Sequence, residues 1–156
     1  MQRRSFIKFA ASVPALSLLT STQANTLAGS PLIYVSPFKS NGELSSCQAE
    51  VWFVADGQDM DVVTAADAWR AQAVGQGLTR TQVWIGDVGL WHNADGKWRD
   101  LPAQLSEASI EQGAVQHARL LEIFGRKYAD EWGTWGPRFK RGLADGSRVM
   151  LKYSPV

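Results

Sequence analysis

The sequence predicts an antiparallel α+β domain whose sheet closes toward a barrel, with one short and one long helix. Segments rich in β-branched and aromatic residues are separated by turn signals such as Asn41-Gly42, residues 56–59 and Asp145-Gly146, which is typical of strands joined by hairpins. The stretches of helical pattern stand apart from most of the strands, and this order indicates an antiparallel α+β architecture. A sheet of this size can remove its exposed edges by closing into a barrel.

The predicted strands are short and carry residues that favour a pleated, half-buried surface. Two of them are expected on either side of the sequence Asn93-Ala94-Asp95-Gly96, which is typical of a hairpin turn. The predicted strands are residues 32–35, 47–55, 60–65, 81–85, 88–91, 97–100 and 148–153.

The short helix is predicted over residues 66–76, directly after the third strand. Its sequence consists largely of helix formers. Asp67 can cap the first turn, and Gly77 can end the last one. The predicted helix therefore begins close to the place where a strand ends.

The long helix is predicted over residues 109–130. Ser109 and Gln112 have the spacing of a capping box, and large side chains recur along one stripe at intervals of three and four residues. This stripe comprises His117, Leu121, Phe124 and Tyr128. The next segment, residues 131–139, is rich in glycine and tryptophan and is expected to be an irregular loop.

Residues 1–24 resemble a twin-arginine export signal. Arg3-Arg4 is followed by an aromatic residue, an aliphatic residue and Lys8, and then by an apolar stretch over residues 10–19. That stretch is too short to span a bilayer, which takes about 20 apolar residues, and residues 22–24 suit a cleavage site. We therefore expect the twin-arginine translocase to export the folded chain, and the mature protein to reside in the bacterial periplasm.

The remaining chain is expected to form one domain, residues 32–156, preceded by a polar tether over residues 25–31. The full chain has a formal charge of +1, and the signal holds three of its cations and no acid, so the mature domain is mildly acidic. Its Lys and Arg residues are dispersed among acids, which argues against a nucleic-acid partner. Cys47 is the single cysteine, so an intrachain disulfide and a cysteine-rich zinc site are excluded.

A first candidate site lies where the third strand meets the short helix. Thr64 offers a hydroxyl, Trp69 an aromatic ring and Arg70 a fork of donors, and this combination suits a phosphate group on a planar molecule. The alternative is that Arg70 is a solvated helix residue paired with Asp67.

A second candidate site lies in the segment 131–139. All seven tryptophans follow the signal, and they either fill a small core or line a pocket for a planar ligand. Trp135 and Arg138 can bring a ring and a cation to a pocket mouth. The alternative is that this segment seals one end of the barrel.

The strand and helix order around residues 60–86 resembles that of the FMN-binding split β-barrel family, which includes pyridoxamine 5′-phosphate oxidase and the deazaflavin-dependent reductases. The resemblance implies an antiparallel split β-barrel that binds FMN or a deazaflavin. It implies that Thr64 and Arg70 bind the cofactor phosphate. Under the hypothesis built on it, Trp69 packs beside the ring system, and Trp135 and Arg138 lie at the pocket mouth. It also implies a homodimer.

The leading hypothesis is therefore an exported oxidoreductase, or cofactor-binding protein, that carries a flavin or deazaflavin, in which the hydride chemistry resides. The rival is a cofactor-free periplasmic module that binds a small hydrophobic ligand, or a partner, at a tryptophan-rich surface. A third hypothesis is haem binding through His92 or His117, although neither histidine has the spacing of a metal motif.

Overall fold

A computed structural model describes residues 27–46 and 49–156. The predicted signal, residues 1–24, lies outside the described residues, as does Cys47. The strands are β1 (Ile33–Pro37), β2 (Ala49–Val51), β3 (Val54–Asp56), β4 (Asp59–Ala65), β5 (Arg80–Ile85), β6 (Ala103–Glu111) and β7 (Arg148–Pro155). The helices are α1 (Trp69–Gly75), α2 (Ala114–Lys127) and α3 (Ala129–Asp145), and two 3₁₀ turns cover Trp91–Asn93 and Lys97–Asp100.

All seven strands belong to one antiparallel sheet in the order β2-β1-β5-β6-β7-β4-β3. The two edge strands, β2 and β3, lie at opposite ends of this order. In the chain, however, they are separated only by Trp52 and Phe53, two residues that we call the closing link. Because two residues span only a few ångströms, the sheet must curl until its edges meet.

The inside of the curled sheet is the main core. On β4 and β7, alternate residues face it, and the register pairs Met60 with Tyr153 and Val62 with Leu151. This is the period-two pattern of a strand with one buried face. Leu27, which belongs to the predicted tether, is buried in the same cluster.

The three helices cover different parts of the sheet. The short helix α1 contacts β1 and β6 and buries Ala71 and Ala73. The long helices α2 and α3 pack on the outer face, against β3 and β7. Within the described ranges, none of these helices is both long enough and apolar enough to cross a membrane.

The predicted α+β class and most of the strands are confirmed, but the prediction of one long helix starting at Ser109 is wrong. Ser109 lies in β6, paired with Lys152 of β7, and α2 begins only at Ala114. The capping-box spacing was misleading because residues 103–111, which include Ser109, form the strand that lies between β5 and β7 in the sheet. The buried stripe of Leu121, Phe124 and Tyr128 is confirmed.

The prediction of an irregular loop over residues 131–139 is also wrong, since this segment lies inside α3. Gly136 is tolerated in the helix because it makes room for the Trp132 indole together with Gly125 of α2. A Cβ atom at Gly136 would lie 2.7 Å from Cε2 of Trp132, and a Cβ atom at Gly125 of α2 would lie 2.7 Å from its Nε1. Aromatic packing therefore outweighs the poor helix propensity of glycine and of Pro137.

Three local predictions need correction. Residues 88–91 and 97–100 are not hairpin strands, because the chain there turns so that Trp98 is buried against Trp84, with ring centroids 4.7 Å apart. Helix α1 is shorter than predicted and starts after Ala68, which provides no side-chain cap, so Asp67 does not cap it. The predicted strand 47–55 is interrupted at the closing link.

Candidate functional site

The β4–α1 junction, residues 64–70, holds three of the predicted site residues. Thr64 is buried near the end of β4, and Trp69 and Arg70 are the first two residues of α1. The backbone between them is fixed, because the Ala66 amide donates to the Ser147 carbonyl at 2.9 Å. The structure thus places the hydroxyl, the indole and the guanidinium on one short, well-anchored segment.

The junction contains hydrogen-bond donors that have no acceptor. Thr64 Oγ1, Trp69 Nε1 and Arg70 Nε are all buried, and none of them has a hydrogen-bond partner within residues 27–46 and 49–156. A buried donor without an acceptor costs about 1–3 kcal/mol, and native proteins leave few such groups. Three such donors therefore lie on one segment of the chain, residues 64–70.

A fourth buried donor without an acceptor lies inside the curled sheet, and sequence reasoning did not identify it. The Tyr153 hydroxyl is fully buried and, like the junction donors, has no partner among the described residues. Burial raises the pKa of Tyr153, and the nearby charge of Arg70 opposes this effect. Arg70 therefore acts electrostatically on the inner face of the sheet. Only the alternation of residues 148–153, which puts Tyr153 on the face of Leu151, signals this placement in the sequence.

A groove of about 480 Å³ lies beside the junction, and we call it the Trp69 groove. Its aromatic walls are Trp69 and Trp98, and the Arg99 guanidinium lies 4.3 Å from the centroid of the Trp98 ring. The other lining residues are Lys39, Leu44, Ser45 and Ser46. This volume falls within the range of small-molecule sites.

Comparisons with known proteins bear on the fold. The sequence matches no protein-family model, and no curated protein is similar to it. Among solved structures, the chain is similar to HutZ, the haem storage protein from Vibrio cholerae, with 10% identity and a TM-score of 0.57 over 88% of this chain and 90% of that one. It is also similar to a candidate pyridoxamine 5′-phosphate oxidase from Listeria innocua, with 14% identity and a TM-score of 0.57 over 86% of this chain and 90% of that one.

A third similar structure is a conserved hypothetical protein from Mycobacterium tuberculosis, with 12% identity and a TM-score of 0.61 over 94% of this chain and 86% of that one. The fold is a split β-barrel. The predicted split-barrel fold class is thereby confirmed, and its closing link is the feature that joins the two edges of the sheet.

The split barrel separates the two predicted sites. Trp135 and Arg138 contact each other, with the guanidinium carbon 5.1 Å from the ring centroid. Trp135, however, packs in the cluster between α2, α3 and the outer face of the sheet, whereas Thr64 shares the inner-face alternation of Met60 and Val62. The structure therefore gathers Thr64, Trp69 and Arg70 at one place and leaves Trp135 and Arg138 at another.

Most tryptophans of the split barrel fill its cores. Six of the seven pack in two clusters, and Trp69 is the exception. The helix-side cluster contains Trp52, Trp132 and Trp135, and the other contains Trp84, Trp91 and Trp98. The tryptophan-rich composition is thus explained largely by core packing, with Trp69 left to line a groove.

The histidines form no metal centre in the described part of the chain, where no cluster of three or more His, Cys, Asp or Glu side chains could hold an ion. His117 Nε2 is engaged with the Glu111 carbonyl at 2.8 Å. His92 is exposed beside a recess of about 220 Å³ that Trp91 and Arg99 also line. Of the two, His92 has the freer imidazole.

Sequence reasoning did not identify Asp61 as a site residue and interpreted it as a solvated acid near the turn at residues 56–59, whereas the structure buries it fully on the helix-facing side of β4. In the register it faces Val54 of β3 and Lys152 of β7. Neither of its carboxylate oxygens has a hydrogen-bond partner among the residues that the structure describes. Burial raises its pKa to about 7, and Lys152 opposes this shift. The alternation of residues 60–65, which puts Asp61 on the face of Val63, was the available signal.

Proposed function

We propose that this protein is an exported split-barrel protein that binds FMN or a related deazaflavin, with the cofactor phosphate at the β4–α1 junction. The observation that carries this proposal is the set of three buried, unpartnered donors on Thr64, Trp69 and Arg70. Phosphate oxygens are acceptors only, and the Arg70 charge compensates their charge. The residues present therefore fit the phosphate end of such a cofactor.

The Trp69 groove is the proposed place for the ring system of the cofactor. The Trp69 indole lines it, and an aromatic wall suits a flat ring system. When bound, a flavin or deazaflavin would supply hydride transfer, while the chain would bind and orient it. The oxidoreductase activity of this protein is part of the proposal.

The proposal assigns the phosphate to Thr64, Trp69 and Arg70, and gives Trp135 and Arg138 no contact with it in the same subunit. Two further elements belong to the proposal: export by the twin-arginine translocase to the periplasm, which residues 1–24 suggest, and assembly as a homodimer, which the family resemblance implies. A mass measurement by light scattering and a fractionation of periplasm from cytoplasm test these elements directly.

A second candidate function is haem binding, and one observation favours it. The fold is shared with a haem storage protein, and His92 stands exposed beside a recess lined by Trp91 and Arg99. An exposed imidazole is a common haem ligand, and Arg99 could pair with a propionate. His117 is the weaker candidate because its Nε2 is engaged with a backbone carbonyl.

The test is an absorption spectrum of the protein purified from the periplasm of a host with intact twin-arginine export. A near-stoichiometric flavin-type band is expected, whereas a Soret band lost in His92→Ala would establish the haem alternative. A spectrum of aromatic residues only, unchanged by added FMN or deazaflavin, would instead support the cofactor-free module.

Titration of FMN then tests the phosphate assignment. Arg70→Ala should raise the Kd for FMN about tenfold or more, because a charged donor is lost. Arg141→Ala, an exposed cation on α3, is the matched control and should leave the Kd unchanged. Equal affinity of the Arg70→Ala variant and the parent chain would remove the assignment.

A further inference from the structure

A second groove, of about 780 Å³, lies between α2 and α3 on the outer side of the sheet. We call it the α2–α3 groove, and it shares no lining residue with the Trp69 groove. Its lining residues are Ala114, His117, Ala118, Leu121, Glu122, Gly125, Arg126, Trp132, Lys140, Leu143 and Ala144. Its volume falls in the range of small-molecule sites.

The floor of the α2–α3 groove is apolar and rigid. The Trp132 indole lies against Gly125 of α2 and Gly136 of α3, so closely that a Cβ atom on either glycine would be 2.7 Å from it. The indole also stacks on Phe124, with centroids 6.3 Å apart and planes 9° from parallel. Leu121 and Leu143 continue this floor on either side. The floor is therefore formed before any ligand arrives.

The rim of the groove carries uncompensated positive charge. Arg126 and Lys140 line it and are exposed, and neither forms an ion pair or hydrogen bond with any residue in the described part of the chain. Elsewhere on the surface, Arg119 is paired with Asp56. Glu122 is the single acid among the lining residues, so the rim has a net positive charge.

We propose that the α2–α3 groove binds an anionic amphiphile, with an alkyl or aromatic body on the apolar floor and a carboxylate between Arg126 and Lys140. The body would cover apolar surface of Leu121, Trp132 and Leu143, which favours binding in proportion to the area removed from water. The carboxylate complements two cations that have no other partner. This site uses none of the residues assigned to the cofactor, so a test of one site does not depend on the outcome of the test of the other.

The test uses isothermal titration calorimetry of the purified full protein with decanoate, and with decyltrimethylammonium as a probe of the same chain length and opposite charge. Decanoate should bind at one site with a Kd below about 1 mM, and the cationic probe at least tenfold more weakly. Decanoate binding no tighter than that of the cation, or absent at that concentration, would overturn the proposal.

Two variants locate the site. Arg126→Glu combined with Lys140→Glu should weaken decanoate binding at least tenfold, and Ala118→Phe, which places a ring in the groove from an exposed position, should abolish it. Arg141→Glu, next to Lys140 but outside the lining, is the control and should change the Kd less than twofold. A control that weakens binding as much as the double variant would overturn the proposal.

A second copy of the chain is the competing occupant. Light scattering with and without decanoate separates the two occupants. A dimer that Ala118→Phe dissociates and decanoate leaves intact would show that the groove is an interface, and would overturn the proposal. An unchanged mass in both measurements, with decanoate bound, would support it.

Discussion

The Tyr128 hydroxyl accepts a hydrogen bond from the Phe53 amide at 2.9 Å and lies 2.8 Å from the Phe53 carbonyl oxygen, to which it can donate. The Pro31 carbonyl oxygen, at 2.9 Å, shares the same proton. Lys127 Nζ donates to the Phe53 carbonyl at 3.0 Å. The C-terminal end of α2 thereby satisfies the backbone of Phe53 in the closing link, which belongs to no strand.

Tyr128→Phe should destabilise the fold by about 1–3 kcal/mol, because the buried Phe53 amide loses its acceptor. Urea denaturation measures this change. Tyr153→Phe is the matched control, since it removes a buried hydroxyl that has no partner among the described residues. That variant should be at least as stable as the parent chain, and equal losses in both variants would contradict the role of Tyr128.

Asp61 should make stability fall as pH rises. Burial raises its native pKa to about 7, from an ordinary value of 3.8, so the native state holds this proton more tightly than the unfolded chain. The stabilising effect is complete below pH 4 and is lost as pH rises to 7. Between pH 5 and pH 8 the free energy of unfolding should therefore drop by on the order of 2 kcal/mol from this group.

Asp61→Asn should remove that part of the pH dependence and raise the free energy of unfolding at pH 8. Asp59→Asn, in the same strand but less buried, is the control and should keep the slope. Urea denaturation of the three proteins at pH 5 and pH 8 makes the comparison. A slope that persists in Asp61→Asn would mean that another group causes it.

Lys127 should titrate near pH 8, well below an ordinary lysine. Its ammonium group lies 3.6 Å from the centroid of the Phe53 ring, and desolvation lowers its pKa to about 8. Because the native pKa is lowered, this group should add stability as pH rises from 8 to 10.5. NMR titration of the lysine side chains measures the pKa, and Lys127→Gln identifies the signal. A midpoint above 10 would contradict the desolvation.

Two glycines of α3 should respond in opposite directions to the same substitution. Gly136→Ala should destabilise the fold by about 1–3 kcal/mol, because its Cβ would press on Trp132. Gly133→Ala meets nothing within 4 Å and should stabilise the helix by up to about 1 kcal/mol. Thermal denaturation measures the Tm of both variants. Equal changes in Tm would show that the Trp132 indole can move aside.

The sequence was informative wherever a local pattern decided the structure. Turn dipeptides and β-branched segments located β1, β4, β5 and β7, and the stripe of Leu121, Phe124 and Tyr128 located α2. It was misleading where tertiary packing decided. No local rule shows that the glycines at 125 and 136 accommodate Trp132, or that Ser109 pairs with Lys152 across the sheet.

The candidate site was predictable in composition but not in geometry. Thr64, Trp69 and Arg70 were identified because a strand ends and a helix begins there, and the structure keeps them together. Tyr153 and Asp61 were missed because burial of an isolated polar group depends on strand register. Trp135 and Arg138 were grouped with the first three residues because the sequence does not show on which face of a sheet a later helix packs.

The position of β7 in the sheet has a consequence for the order of folding. Among the described strands it comes latest in the sequence, yet it lies between β6 and β4 and pairs with both. Before it is synthesised, β2, β1, β5 and β6 form one set of pairings, and β3 with β4 forms another. Folding is slow when many strand pairs join residues that lie far apart in the sequence. The barrel can thus be completed only after residues 148–155 have left the ribosome, because β7 is the strand that joins the two sets of pairings.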